Sequence, residues 1–148
     1  MLENLMDVLY GPCQTMIYRR VKFDVHCSIG LFQTTFEHDV RTIKNYIRLT
    51  DTALSITPTT SAILYEYTAI DKAKFAFTNL INTFIHQSCE PVVAYTQVYD
   101  TDREPDMIIY RLNDILRDAH VRRLTLMDDS LYRDESFYGV DFNDILTG

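Results

Sequence analysis

Residues 52–70 read TALSITPTTSAILYEYTAI, and this stretch decides how the rest of the chain is interpreted. Two runs rich in Thr, Ile, Tyr and Leu, at 52–57 and 61–70, flank a Pro-Thr-Thr segment at 58–60. Residues with β-branched or aromatic side chains favour strands, whereas proline and small polar residues favour turns. The stretch therefore predicts a β-hairpin.

Further strands and helices are predicted on both sides of the hairpin. Before it, residues 15–29 alternate apolar and polar side chains, which predicts a half-buried strand, and 34–51 carry an apolar stripe at helical spacing. After it, we expect a helix from Asp71 and a strand over 92–99. The resulting order over 15–99, β-α-β-β-α-β, is that of the ferredoxin-like fold.

Both ends of the chain add elements to this core. Residues 2–10 predict a short helix that Gly11 and Pro12 stop, and Pro105 is placed to open another helix. A last strand is predicted over 121–127. We therefore expect a single α+β domain whose core carries an N-terminal helix and a C-terminal helix-strand-tail extension.

Composition restricts the class of protein. With 148 residues, 47% of them hydrophobic, the chain has the usual size of one domain and can build a core. Its net charge of −7 argues against a binder of duplex nucleic acid, which normally presents a basic surface. Glu3 and Asp7 interrupt the first apolar run, which therefore does not read as a secretory signal, and no apolar run is long enough for a membrane span. We expect a cytoplasmic or otherwise intracellular protein that is not secreted and has no membrane partner.

The last residues differ in character from the rest. We divide the chain into an α+β body, 1–127, and an acidic-aromatic tail, 128–148, which holds six acidic residues against a single Arg133. Acids interleaved with large apolar groups are typical of amphipathic binding segments. The leading hypothesis is a non-enzymatic protein–protein interaction or assembly subunit of viral or phage origin. Its tail would dock on a protein partner or on another copy in an oligomer.

The residues expected to make that contact fall into two groups. Large apolar side chains of the tail would enter a groove, and arginine pairs of the body would receive the tail's acids. The partner-binding candidates are Phe137, Tyr138, Phe142, Ile145 and Leu146 in the tail, and Arg19, Arg20, Arg122 and Arg123 in the body.

The two arginine pairs also support a first alternative. Both pairs lie on candidate strands, and several tyrosines lie on others. A sheet face of arginine and tyrosine side chains can stack unpaired bases. The alternative is a protein that binds single-stranded nucleic acid.

A second alternative comes from residues 25–34, VHCSIGLFQT. The stretch resembles the phosphate loop of the cysteine-dependent phosphatases, whose signature is HCxxGxxR followed by Ser or Thr. The resemblance covers about ten residues and implies that Cys27 stands at the nucleophile position. Gln33 stands where the family has arginine, and a neutral amide does not clamp phosphate as a guanidinium does. The resemblance therefore implies a degenerate phosphatase-like protein.

No residue is assigned to catalysis, to a cofactor or to a metal. His86 and Cys89 have the HxxC spacing of half a zinc site, but a histidine at a helix end and a buried thiol explain this pair as well. The three cysteines form no CxxC pair and are too few for a disulfide framework. We therefore expect a protein that is not an enzyme.

Overall fold

In the computed structural model, the described residues, 1–85 and 90–130, form one five-stranded sheet with helices on both faces. The helices are α1 (Leu2–Phe23), α2 (Val40–Lys44), α3 (Ile70–Ile85) and α4 (Pro105–Arg122). The strands are β1 (Ser28–Gln33), β2 (Thr52–Thr57), β3 (Thr60–Tyr65), β4 (Val92–Gln97) and β5 (Leu126–Met127).

The sheet confirms the predicted α+β class and the ferredoxin-like order. Its strands are arranged β2-β3-β1-β4-β5, with antiparallel pairing everywhere except between β4 and β5. The predicted hairpin is β2-β3, which pairs Thr57 with Thr60 next to the turn. Strand β1 lies in the centre between β3 and β4, so that its backbone is hydrogen-bonded on both sides.

Each face of the sheet has its own hydrophobic core. On one face, α1 and α4 pack together with Ile29, Leu31 and Ala94 of the sheet. On the other face, α2 and α3 cover Phe32, Ile63 and their neighbours. Among the ranges the structure describes, no helix is both long enough and apolar enough to pass through a membrane.

The first helix is more than twice as long as the sequence pattern indicated. Helix α1 runs through Pro12 and takes up much of the segment expected to be a strand. Buried side chains recur at helical spacing on both sides of the proline, at Leu5, Leu9, Cys13 and Met16. A proline inside a helix costs about 3 kcal/mol, and burial of this continuous stripe outweighs it.

Two further expected elements are shorter than predicted. Helix α2 covers only five residues, and its N-terminus is capped by the Asp39 side chain, which accepts a hydrogen bond from the Arg41 backbone N–H. The last strand contains two residues, because α4 extends to Arg122 and Arg123 ends it in a left-handed conformation with φ 56°. The residues expected to alternate on a strand over 121–125 therefore belong to a helix end and a turn.

Gly30 in the centre of the sheet lies directly beneath the ring of Phe77 from α3. A Cβ atom on Gly30 would stand 2.7 Å from Phe77 Cε1 and closer still to Cζ, which is nearer than real Cβ atoms approach. The Phe77 ring is held between Tyr65 and Tyr95, with ring centroids 4.9 and 5.2 Å away. The missing side chain of Gly30 is therefore what allows α3 to pack this close to the sheet.

We predict that Gly30→Ala lowers the free energy of unfolding by about 1–3 kcal/mol, since the new methyl group overpacks a filled core. Urea denaturation followed by circular dichroism measures the change. In a Phe77→Leu background, where the ring is absent, the same substitution should cost less. An equal cost in both backgrounds would show that Gly30 is needed for another reason.

A buried ionic network joins α4 to the end of β4. Arg111 donates to both carboxylate oxygens of Asp102 at 2.8 Å, to Thr96 Oγ1 at 3.0 Å and to the Gln97 carbonyl at 3.0 Å. Asp129, which is fully buried, accepts hydrogen bonds from Thr96 Oγ1 and from the Tyr99 hydroxyl. Arg111 thus balances two carboxylates that have been removed from water, and it ties α4, β4 and the residues after β5 together.

We predict that Arg111→Met destabilises the protein by about 3–5 kcal/mol, because two buried carboxylates lose their cation. The matched control is Arg117→Met on the same helix, where the arginine pairs with Asp114 at the surface and its side chain is 66% exposed, against 19% for Arg111. That substitution should cost less than about 1 kcal/mol. Chemical denaturation of both variants provides the test, and similar losses would contradict it.

Candidate ligand-binding pocket

A pocket of about 440 Å³ opens between α3 and the segment that precedes β2. Its floor includes Tyr65 at the end of β3 and Leu80 of α3. Arg48 and Asp51 form the wall opposite α3, and we call the cavity the Arg48 pocket. It lies on the sheet face that α2 and α3 cover.

The wall supplied by α3 follows from helical spacing. Lys72, Ala76, Asn79 and Thr83 recur at intervals of four, three and four residues, so they share one side of the helix. The small Ala76 side chain leaves room in the middle of this wall. Lys72 and Asn79 are exposed and offer hydrogen-bond donors to an occupant of the pocket.

The opposite wall is fixed by a two-pronged ion pair. The Nε and Nη2 atoms of Arg48 donate to the two carboxylate oxygens of Asp51, each at 2.9 Å. Asp51 also accepts from the backbone N–H groups of Arg48 and Glu66, and its side chain is only 1% exposed. Its hydrogen bonds with Arg48 raise the pKa of the Arg48 guanidinium.

Arg48 also connects this wall to the end of β3. Its Nη2 atom donates to the Glu66 carbonyl at 2.6 Å and to Thr68 Oγ1 at 2.8 Å. The segment before β2 is thereby fastened to the segment after β3. About half of the Arg48 side chain remains exposed, so the guanidinium can still face a ligand.

Three tyrosines give the pocket aromatic surface. Tyr46 is half exposed and packs edge-on against Phe84, with ring centroids 5.9 Å apart. Tyr67 is largely exposed and adopts a left-handed backbone with φ 53°. Tyr65 is buried, and this burial, reinforced by the charge of Asp51, raises the pKa of its phenol. The Tyr65 hydroxyl therefore stays protonated at neutral pH and can act as a donor.

These groups together suit a planar, negatively charged ligand. Tyrosine rings provide stacking surface, Lys72 and Arg48 provide positive charge, and Asn79 provides an amide that can pair with the polar edge of a ring. Sequence reasoning missed this site, because its residues lie in three separate segments. The only local signal was the Arg48–Asp51 spacing of three residues, which brings the two charges together on one turn.

The arginine pairs proposed as partner-binding residues lie elsewhere. Arg19 and Arg20 are near the end of α1, where Arg19 pairs with Glu66 at 2.9 Å and Arg20 pairs with Asp24. Arg122 and Arg123 are at the end of α4. The structure therefore places the two pairs at the ends of two helices, and their role in partner binding stays a prediction.

Other predicted residues fall outside the part of the chain that the structure describes. These are Phe137, Tyr138, Phe142, Ile145 and Leu146 of the expected tail, together with His86 and Cys89. Within 1–85 and 90–130, no group of three or more His, Cys, Asp or Glu side chains is arranged to hold a metal ion.

The phosphatase-like interpretation of residues 25–34 is wrong. Ser28–Gln33 form the central strand, so their backbone N–H groups are used in the sheet and cannot cradle a phosphate. Cys27 is fully buried and donates to Glu66 Oε2 at 3.3 Å. Burial raises the pKa of the Cys27 thiol to about 11, which leaves it protonated and unreactive at neutral pH.

The single-stranded nucleic-acid alternative is also wrong in its structural basis. It required arginines and tyrosines on one open sheet face, but all four candidate arginines follow or belong to helices. Both faces of the sheet are covered, and Tyr65 and Tyr95 are buried in the core under α3.

A polar cluster around His38 joins the loop after β1 to the start of β3. His38 Nδ1 lies 2.7 Å from Thr34 Oγ1, and His38 Nε2 lies 2.6 Å from Ser61 Oγ. Because the Thr34 hydroxyl donates to the Phe36 carbonyl, it accepts from Nδ1–H, and Ser61 then donates to Nε2. This arrangement uses the neutral imidazole, which burial favours by lowering the His38 pKa, with Asp39 partly opposing the shift.

We predict that acid weakens the fold through His38. Since the folded-state pKa lies below the ordinary value of 6.5, the contribution of neutral His38 is complete above pH 6.5 and decreases as the pH falls toward the folded-state pKa. Urea unfolding of the wild type and of His38→Gln at pH 7.5 and pH 5.5 tests this. The wild type should lose more stability than the variant, and equal losses would contradict the prediction.

Comparisons with known proteins give matches at the level of structure only. No family model matches the sequence, and no curated protein matches it. Among solved structures, the FimX GGDEF domain from Pseudomonas aeruginosa has a TM-score of 0.66 at 7% identity, covering 80% of this chain and 89% of that one. The GGDEF domain of DgcB from Caulobacter crescentus, solved in complex with c-di-GMP, has a TM-score of 0.68 at 7% identity, covering 80% and 86%.

A third structure, described as a novel interaction mode between a microbial GGDEF domain and cyclic di-GMP, has a TM-score of 0.65 at 8% identity and covers 84% of this chain and 94% of that one. Together these similarities show that the chain has the fold of a GGDEF domain.

The expectation of a viral or phage assembly subunit is therefore wrong. The structural neighbours are GGDEF domains, two of them from the bacteria Pseudomonas aeruginosa and Caulobacter crescentus, and two of them were studied with c-di-GMP. Sequence reasoning relied on the composition of the tail and on the absence of familiar motifs. Neither observation could reveal a fold that is shared at 7–8% identity.

Proposed function

We propose that this chain is a non-catalytic binding domain for a cyclic dinucleotide of the c-di-GMP type and that the ligand occupies the Arg48 pocket. The observation that carries the proposal is the pocket itself, which combines cations, tyrosine rings and an amide on a fold whose neighbours include a complex with c-di-GMP. A cyclic dinucleotide carries two planar purines and two negatively charged phosphates, and each group has a counterpart in this pocket.

The contacts would divide between the two walls. Lys72 and the exposed part of Arg48 would pair with a phosphate, for which a charged donor is the strongest partner. A purine would lie against a tyrosine ring at the pocket mouth, and the Asn79 amide would bond to the polar edge of the base. The protonated Tyr65 hydroxyl would supply a further donor.

We place binding rather than turnover at this site because of Asp51. Among the described residues that line the pocket, it is the one carboxylate. It accepts four hydrogen bonds from Arg48 and Glu66 and is almost fully buried. A carboxylate committed in this way positions Arg48 and has little capacity left to accept a proton from a substrate or to ligate a metal ion.

We predict that isothermal titration calorimetry detects c-di-GMP binding to the full chain and that Ala76→Phe weakens it at least about tenfold, a loss of about 1.4 kcal/mol. The added ring fills the gap in the α3 wall. The matched control is Asn82→Phe, which adds the same ring to an exposed position of α3 that does not line the pocket.

Two results would contradict the proposal. Undiminished binding by Ala76→Phe, with the fold verified by circular dichroism, would exclude the Arg48 pocket as the site. Conversion of GTP to c-di-GMP in the presence of Mg²⁺, followed by chromatography, would show that the chain is an enzyme. We expect no product above the level of a sample without protein.

A further inference from the structure

A cavity of about 310 Å³ lies at the edge of the sheet, between α3 and the residues around β5. It is lined by Lys74 of α3, Tyr95 of β4, Arg122 of α4 and five residues of the segment 124–130. We call it the Lys74 groove. Strand β5 is the last strand of the sheet, and among the described residues it pairs only with β4. The groove therefore lies at an open sheet edge, where a further segment of chain can be added.

The groove carries positive charge that nothing around it balances. Lys74 and Arg122 are both exposed, and neither forms an ion pair with any described residue. Asp128 is the one carboxylate of a described residue that lines the groove. It already accepts hydrogen bonds from the backbone N–H and the hydroxyl of Ser130. Two cations thus face the groove against a single carboxylate that is engaged locally.

The groove also presents apolar surface to water. Leu124 is 42% exposed and Leu126 of β5 is partly exposed, and both side chains line the groove. An occupant that fits would carry acidic groups to pair with the two cations and large apolar side chains to cover the two leucines.

The residues that follow Ser130 along the chain have this composition. Residues 131–148 contain four acidic residues and a single Arg133, interspersed with large apolar side chains such as Phe137. Ser130 itself lines the groove, so the chain reaches it without a linker. Charge and position together favour the chain's own tail over any other occupant.

The start of the tail is held next to the groove. The fully buried Asp129 accepts hydrogen bonds from Thr96 Oγ1 at 2.9 Å and from the Tyr99 hydroxyl at 3.0 Å. A segment tethered this closely has an effective concentration on the order of millimolar at its own groove, which a second copy in dilute solution does not reach. The tethering therefore favours docking within one molecule.

We propose that residues 131–138 dock in the Lys74 groove of the same chain. Asp134 and Glu135 pair with the two cations, and Phe137 covers the exposed Leu124. The first part of the tail is then a piece of the domain that closes its sheet edge, and it is not an arm that binds another protein. The Lys74 groove shares no lining residue with the Arg48 pocket, so this inference is independent of the proposed function.

Fluorescence of the full chain tests the docking, because the sequence contains no tryptophan. The indole of Phe137→Trp should be quenched by acrylamide less than that of Phe23→Trp, a position that is 63% exposed. Adding Lys74→Glu or Arg122→Glu should raise the undocked fraction about two- to fivefold for each reversed charge, the effect of losing an exposed ion pair. Both positions are exposed, so the fold tolerates these changes. The matched control is Lys22→Glu, an exposed lysine of α1 outside the groove, which should leave the quenching unchanged.

Reversing the charges of the tail provides an independent check. Asp134→Lys with Glu135→Lys should expose the indole, and should restore its protection when combined with both reversals in the groove. An indole at position 137 that is as accessible as the one at position 23 would show that the tail does not dock. Protection that survives both reversals would place the tail elsewhere. Protection that increases with protein concentration, with a doubled mass in light scattering, would identify a second copy as the occupant. Each of these three results overturns the proposal.

Discussion

The contact between the Phe77 ring and the bare backbone of Gly30 is the constraint on which the rest of the structure depends. It fixes the distance of α3 from the central strand, since any side chain at position 30 would hold the ring away. Tyr65 and Tyr95 complete the packing around the ring from the strands on either side of β1. A glycine in the middle of a strand costs backbone entropy. Here its missing side chain leaves the space that the Phe77 ring of α3 occupies.

The candidate pocket follows from this placement of α3. With Phe77 packed against Gly30, the side of α3 that carries Ala76 faces the segment before β2. The gap between them is the Arg48 pocket. The opposite wall is held by the ion pair of Arg48 with Asp51. Both residues are also hydrogen-bonded to the backbone of Glu66, just after β3. Both walls are therefore held by contacts that exist without a ligand, and a preorganised site loses less entropy on binding than one that must form.

The sequence predicted the hairpin, β4, α3 and α4 well, but it misplaced the central strand β1 and did not reveal the full length of α1 or the pocket. Strand β3 alternates little but consists of residues that favour strands, and the Pro58-Thr59 turn marks the hairpin clearly. The second half of helix α1 was missed because Pro12 is a strong local stop signal, while the packing against α4 that overrides it is a tertiary effect. The pocket could not be predicted, because Arg48 and Lys72 meet across it only after the fold forms. Sequence periodicity reports burial within one element and says nothing about distances between elements.

The overall charge of the chain does not decide whether it can bind an anionic ligand such as the one proposed. A net charge of −7 argues against an anionic partner only if charges act at long range, yet at physiological ionic strength exposed charges are screened beyond about 8 Å. Within that distance the local arrangement decides. Asp51 is paired with Arg48, and no other carboxylate of a described residue lines the Arg48 pocket, so Lys72 sets the local potential there. An acidic protein can hold a phosphate wherever its few cations are grouped and its acids are already paired, and the affinity there depends on the local cation, here Lys72, far more than on the total charge.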